Sequence, residues 1–192
     1  MRMKCIFVIF LLVLVSSASG QTEYKIYTWD ELVGCSPDTV YAISFRKQKL
    51  DSLPSGLFEF RNLMYLDLEK NKLTELPNQL THLTSLQHLN LGKNKYTVFP
   101  LSICQLKNLR SLKFNQNEIS YLPESIGDLG QLEELDLFKN PIRKLPESLT
   151  QLKKLKLLEL RNIKFSPEFQ DKWLSALPDT KILFDPPCDC MK

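Results

Sequence analysis

The sequence predicts an α/β solenoid, in which short parallel strands line one curved sheet and helical or extended returns form its convex side. Three observations carry this. Segments beginning at Val40, Leu63, Leu86, Leu109, Leu132 and Leu155 recur at a constant step of 23 residues. A proline falls at the same offset in five of the six units, at Pro54, Pro77, Pro100, Pro123 and Pro146. Each unit also opens on apolar residues two apart, such as Leu66 and Leu68, and that spacing puts both side chains on one face of a strand. No unit this small buries its leucines alone, so neighbours must stack.

From the N-terminus, residues 1–20 read as a secretory signal. Arg2 and Lys4 precede an unbroken apolar run from Ile6 to Val15, and Ala18-Ser19-Gly20 supplies the small residues a signal peptidase needs. Cleavage after Gly20 leaves Gln21 as the new N-terminus. The run is too short for a membrane span, which takes about 20 residues, and no other stretch is as continuously apolar. The protein is therefore expected to be secreted or periplasmic, with no stable membrane span. Residues 21–39 form an N-terminal cap, in which Thr28 and Glu31 have the spacing of a capping box. The repeats occupy 40–165, the sixth of them degenerate. A capping helix starts at Ser166-Pro167 and runs to about Leu177, with Phe169, Trp173, Leu174 and Leu177 on one apolar face. A last strand, Lys181 to Phe184, closes this cap at residue 184. Residues 185–192 are a tail.

Within a repeat, the strand is followed by Asn71, Asn94, Asn117 or Asn140, a recurring amide suited to pairing buried backbone groups at a tight turn. Gln48 takes this place in repeat one, and Ile163 breaks the series in repeat six. The proline, with its fixed φ, then opens the return. Repeat two reads LMYLDLEKNKLTELPNQLTHLTS and repeat five LEELDLFKNPIRKLPESLTQLKK. These residues resemble the leucine-rich-repeat family in its 23-residue form LxxLxLxxNxLxxLPxxLxxLxx, closest to the Ras-group-like and bacterial type with its LPxxL element. The resemblance is close from Val40 to about Phe165. It implies a binding module rather than an enzyme.

The remaining residues narrow the function. The net charge is +3, and it falls to +1 once Arg2 and Lys4 leave with the signal; that balance predicts no nucleic-acid partner. Four cysteines remain: Cys35, Cys104, Cys188 and Cys190. With strands stacked about 4.8 Å apart, Cys35 and Cys188 are expected roughly 30 Å apart, beyond the limit of about 7 Å between Cα atoms of a disulfide. Cys188 and Cys190 are the candidates for an intermolecular disulfide in what is otherwise expected to be a monomer. No metal or cofactor is expected, since neither histidine lies near the Cys-x-Cys pair.

Inward strand positions belong to the core, so function falls to the outward ones, which form three columns on the concave face. One runs Ser44, Asp67, Asn90, Lys113, Asp136, Glu159; a second runs Arg46, Glu69, Gly92, Asn115, Phe138, Arg161; a third runs Ala42, Tyr65, His88, Ser111, Glu134, Leu157. A protein or peptide ligand is expected to meet Tyr41, Tyr65, Asp67, His88, Asn90, Lys113, Asp136, Phe138 and Arg161. Arg110 and Lys113 face Glu133, Glu134 and Asp136 across one strand step, which reads first as a self-neutralising charge ladder. Tyr65, His88 and Ser111 are column neighbours, but an open sheet face gives a nucleophile neither a pocket nor an oxyanion hole. No catalytic residue is assigned. A surface component binding glycan or matrix and a signalling scaffold are the alternative readings.

Overall fold

The computed structural model describes residues 12–15 and 22–186. Its strands are β1 (Leu12–Val15), β2 (Thr22–Tyr27), β3 (Ala42–Ser44), β4 (Tyr65–Asp67), β5 (His88–Asn90), β6 (Ser111–Lys113), β7 (Glu134–Asp136), β8 (Leu157–Glu159) and β9 (Lys181–Leu183). They lie side by side in sequence order. β1 pairs antiparallel with β2, and every later pairing is parallel. The register matches the repeat: Leu66 faces Leu89, Leu89 faces Leu112, and Leu112 faces Leu135. These residues are fully or almost fully buried, together with Leu68, Leu91 and Leu137 two places on. The sheet stays open and curved, as a solenoid requires.

Each return is a single short 3-10 helix. Five of them, Ser55–Glu59, Asn78–His82, Leu101–Gln105, Glu124–Asp128 and Glu147–Gln151, begin directly after the repeated proline. The proline sits at the N-cap, where its missing N–H costs nothing. The third residue of each turn (Leu57, Leu80, Ile103, Ile126, Leu149) is fully buried and closes the core from the convex side. The prediction of a helical return is met in its tightest form, because five residues leave room for little more than one turn.

The asparagine series is a hydrogen-bonded ladder. Asn94 Nδ2 donates to Leu68 O (3.0 Å) and Leu91 O (2.9 Å), while its Oδ1 accepts from Leu73 N (3.1 Å). One side chain thus joins two repeats. Asn71 and Asn117 repeat the pattern. Asn140 makes both donations, at 3.0 Å each, but its Oδ1 has no protein partner. Gln48 is exposed and does not replace asparagine in repeat one, correcting the expectation. Ile163 fills the sixth rung as a buried apolar side chain. The residue before each rung has a left-handed backbone: Lys47, Lys70, Lys93, Gln116, Lys139 and Asn162, with φ from 53° to 63°.

Both caps are present, with two departures from the expectation. Thr28 N donates to Glu31 Oε2 at 2.8 Å, and Trp29 packs its ring against Phe45 and Phe60. At the other end, Ser166 caps the helix α1 (Pro167–Ala176) by accepting from Phe169 N. Phe169 stacks on Phe165 at 4.0 Å, and Trp173 and Leu177 are buried, but Leu174 is 47% exposed. Phe169, Trp173 and Leu177 step by four and form the inward stripe, whereas Leu174 lies about 100° round the helix from its neighbour Trp173. The closing strand ends at Leu183, one residue earlier than expected. Most of the predicted signal, together with Gln21, Cys188 and Cys190, lies outside the described residues. Among the described residues, no helix is long and apolar enough to cross a membrane.

Candidate functional site

The concave face is built by the strand ends, and its first column has a structural task that the sequence did not reveal. Asp67 Oδ1 accepts from Glu69 N at 2.9 Å, Asn90 Oδ1 from Gly92 N at 3.0 Å, and Asp136 Oδ1 from Phe138 N at 3.0 Å. Ser44 and Glu159 do the same for Arg46 N and Arg161 N. The chain leaves the sheet at this point, and the side chain pairs an N–H that would otherwise lack a partner. Lys113 alone in the column carries no acceptor, so its side chain is committed to the open face. The signal was available: five of six column members can accept a hydrogen bond.

Two polar networks lie on this floor. In the first, Arg46 pairs with Glu69 at 2.6 Å and approaches Asp67 at 3.6 Å, while Lys93 reaches Glu69 at 3.1 Å and Asn90 donates to it at 3.3 Å. Asp67 is only 5% exposed, and burial pushes its carboxyl above the usual range against the pull of Glu69 N–H and Arg46. Burial acts the same way on Glu69, but the hydrogen bond from Lys93 and the charges of Arg46 and Lys93 outweigh it. In the second network Asn115 Nδ2 donates to Asp136 Oδ2 at 2.7 Å, and burial again raises the Asp136 carboxyl. Between the two networks stands Gly92, where a Cβ would lie 2.8 Å from Asn115 Oδ1 and make that side chain shift. At the far end Arg161 grips Glu159 at 2.6 Å.

The predicted charge ladder exists in part. Arg110 meets Glu133 at 3.2 Å and Lys113 meets Glu134 at 3.7 Å, and Glu133 also binds Lys156. Asp136 stays outside it, taken by Asn115. The aromatic candidates divide. Tyr41 is exposed at the N-terminal edge and packs on Tyr24 at 5.1 Å. Tyr65 and Phe138 are half-buried on the floor. Burial, reinforced by Asp67, pushes the Tyr65 phenol up to about 12, so it remains a donor at neutral pH. His88 lies beside it, ring centroids 6.4 Å apart, half-buried, and its Nε2 has no protein partner. Burial holds His88 below its ordinary pKa, with Glu134 pulling the other way. Ser111 donates to Glu134 at 2.7 Å and not to His88, so the histidine does not activate it.

Tyr65, His88, Lys113, Asn115 and Phe138 therefore lie in one strip across β4–β7, its charges partly matched and its aromatic rings half-buried. Away from the strip, the convex side has an open depression of about 440 Å³ lined by Leu53, Phe58, Arg61, Gln79 and His82. Cys104 is buried, which raises its thiol pKa, and Cys35 is half-buried. Among the described residues no three His, Cys, Asp or Glu side chains converge as metal ligands would.

Two family patterns match the chain, "leucine-rich repeat region" over residues 101–179 and "leucine rich repeat" over residues 39–95. The chain belongs to the leucine-rich-repeat family. Among curated proteins none matches it. Solved structures share its fold. One is the plant peptide hormone receptor RGFR1 in complex with RGF2, with TM-score 0.61 and 24% identity over 80% of this chain and 25% of that one. Another is the Toll–Spatzle complex of Drosophila, with TM-score 0.64 and 24% identity over 78% of this chain and 21% of that one. A leucine-rich-repeat protein of Leptospira interrogans also matches, with TM-score 0.47 and 20% identity over 77% of this chain and 61% of that one. This leucine-rich-repeat chain spans less than two thirds of each of these proteins. Folds of this family are scaffolds for protein recognition, with the concave sheet as the extended contact surface.

Proposed function

We propose that the protein is exported and that its concave sheet, across repeats two to five, binds an extended segment of a protein or peptide. The observation that carries this is the strip itself. Tyr65, His88, Lys113 and Phe138 share one face, and the core is complete without them. A chain laid across β4–β7 meets aromatic rings that anchor, the half-buried ring of His88 and the ammonium of Lys113. The surface offers recognition and no catalytic step. The proteins of like fold, one a peptide hormone receptor and the other Toll in its complex with Spatzle, support a protein or peptide as ligand.

Export rests on Arg2, Lys4, the apolar run from Ile6 to Val15 and the small residues before Gln21. A chain starting at Gln21 in the culture medium or periplasm is the expected mass-spectrometric result, and an intact leader on a cytoplasmic protein would favour the signalling-scaffold reading. The binding claim is tested by affinity capture with the exported protein, followed by titration of the captured partner. Tyr65→Ala with Phe138→Ala should weaken that partner by about thirtyfold or more, the usual effect of losing a buried aromatic anchor. The exposed convex substitutions Gln105→Ala and Lys153→Ala should leave it unchanged. The reverse pattern would move the site to the convex side.

A further inference from the structure

A strongly charged surface lies outside the concave strip. In the first three repeats the turn after the strand reads Lys47-Gln48-Lys49, Lys70-Asn71-Lys72 and Lys93-Asn94-Lys95. Asn71 and Asn94 point into the ladder, so the lysines on either side of them stand away from the core. Lys47, Lys49, Lys72 and Lys95 are exposed, and Lys70 and Lys93 are half-buried. Because the repeats stack in register, about 4.8 Å apart, the six lysines make two parallel rows of three along one edge of the solenoid. The left-handed backbone at Lys47, Lys49, Lys70 and Lys93 fixes where these side chains leave the turn.

Local acids do not neutralise this ridge. Lys93 pairs with Glu69, and among the described residues none of the other five lysines forms an ion pair. The repulsion is felt at Lys70, whose ammonium is held below its ordinary pKa first by Lys93 and then by Lys47. Repeat four ends the ridge, because its corresponding residues are Gln116 and Glu118.

We propose that the lysine ridge of repeats one to three binds a linear anionic polysaccharide, one carrying sulfate or carboxylate groups along its length. Two rows of like charge at a constant step match a stiff polymer with regularly spaced anions. The competing polyanions are gripped most firmly by devices that the ridge lacks. Single-stranded nucleic acid is held by stacking on aromatic rings, and a membrane surface by inserted apolar side chains. The exposed large apolar residues among those described, Val33, Tyr41, Val98, Leu101, Tyr121 and Leu174, all lie outside these turns. Lysine is a point charge without the fork that arginine offers to a phosphate. The ridge therefore reads charge and spacing alone. It occupies the turn edge, and of its six lysines Lys93 alone reaches the network on the concave floor, through Glu69, so the proposal stands independently of the peptide-binding reading at Tyr65, His88, Lys113 and Phe138.

The test uses a heparin oligosaccharide as probe, titrated into the exported protein at physiological salt and at a series of higher salt concentrations. The wild type should bind, with affinity falling steeply as salt rises, since displaced counterions drive such association. Lys70→Gln with Lys72→Glu copies what repeat four already carries at Gln116 and Glu118, so the variant is expected to fold with an unchanged melting curve. It should bind about tenfold more weakly or worse. Lys153→Gln with Lys154→Glu makes the same change in net charge on exposed residues elsewhere and should cost less than about twofold. Should the first variant fail to fold, Lys47→Gln with Lys95→Gln gives the same reading. Equal losses in ridge and control variants, or no wild-type binding at physiological salt, would overturn the proposal. Tighter binding to single-stranded DNA or to phosphatidylserine vesicles at equal anion concentration would overturn the choice of polysaccharide.

Discussion

Asp67 is a carboxylate held in place by a backbone N–H and buried to 5% exposure on the concave face. Its folded pKa is raised, first by burial. The unfolded chain therefore loses the proton at lower pH than the folded one, so this group's contribution to stability falls as pH climbs from its ordinary value to its raised one. The penalty is fully present at neutral pH. Asn90 shows that an amide serves the same turn, since its Oδ1 accepts from Gly92 N at 3.0 Å. Asp67→Asn should raise the melting temperature at pH 7, and the gap between variant and wild type should close as pH falls below the ordinary aspartate range. Thermal melts across pH 3 to 8 check this. A variant less stable than wild type at pH 7 would mean that Arg46, 3.6 Å away, outweighs burial. Period-two spacing placed Asp67 on the concave face. It did not show that the side chain is spent on its own turn, because that depends on the backbone leaving the sheet two residues later.

At the scale of the element, the repeat turn is the unit that recurs, and its left-handed residue is never glycine. An L-residue in this region costs about 1 kcal/mol relative to glycine. Gln116, at φ 53° and uncharged, isolates the effect. Gln116→Gly should stabilise the fold by up to about 1 kcal/mol, and Gln116→Val should destabilise it by a comparable amount, read from denaturant midpoints. The lysines of this column were visible in the sequence at their 23-residue step, but their conformation was not, since nothing in the residue type demands φ above zero. The prolines were more legible. A residue that fixes φ and lacks an N–H fits the start of a return, and it stands there in all five repeats that carry it. Leu174 was misread because a helix as short as α1 buries only a narrow stripe, and a residue one step beyond it faces solvent.

For the whole molecule, stability is a sum over neighbours, each repeat closing the core of the next. Leu112 is fully buried in β6 with partners Leu89 and Leu135 on either side. Leu112→Asp buries an unpaired charge between two repeats and should abolish cooperative unfolding in circular dichroism, whereas a terminal-repeat substitution should leave part of the transition intact. The register behind this was readable in advance, since a constant step of 23 aligns every leucine with its counterpart. The binding strip was legible as a face but not as a site, because a ligand's chemistry leaves no period in the chain that receives it. The most direct measurement of the central claim is photo-crosslinking. A benzophenone side chain replaces Lys113 on the concave floor or Gln105 on the convex return, and each protein is irradiated with the captured partner. Crosslinks from position 113 and none from position 105 are the predicted result; crosslinks from 105 alone would contradict it.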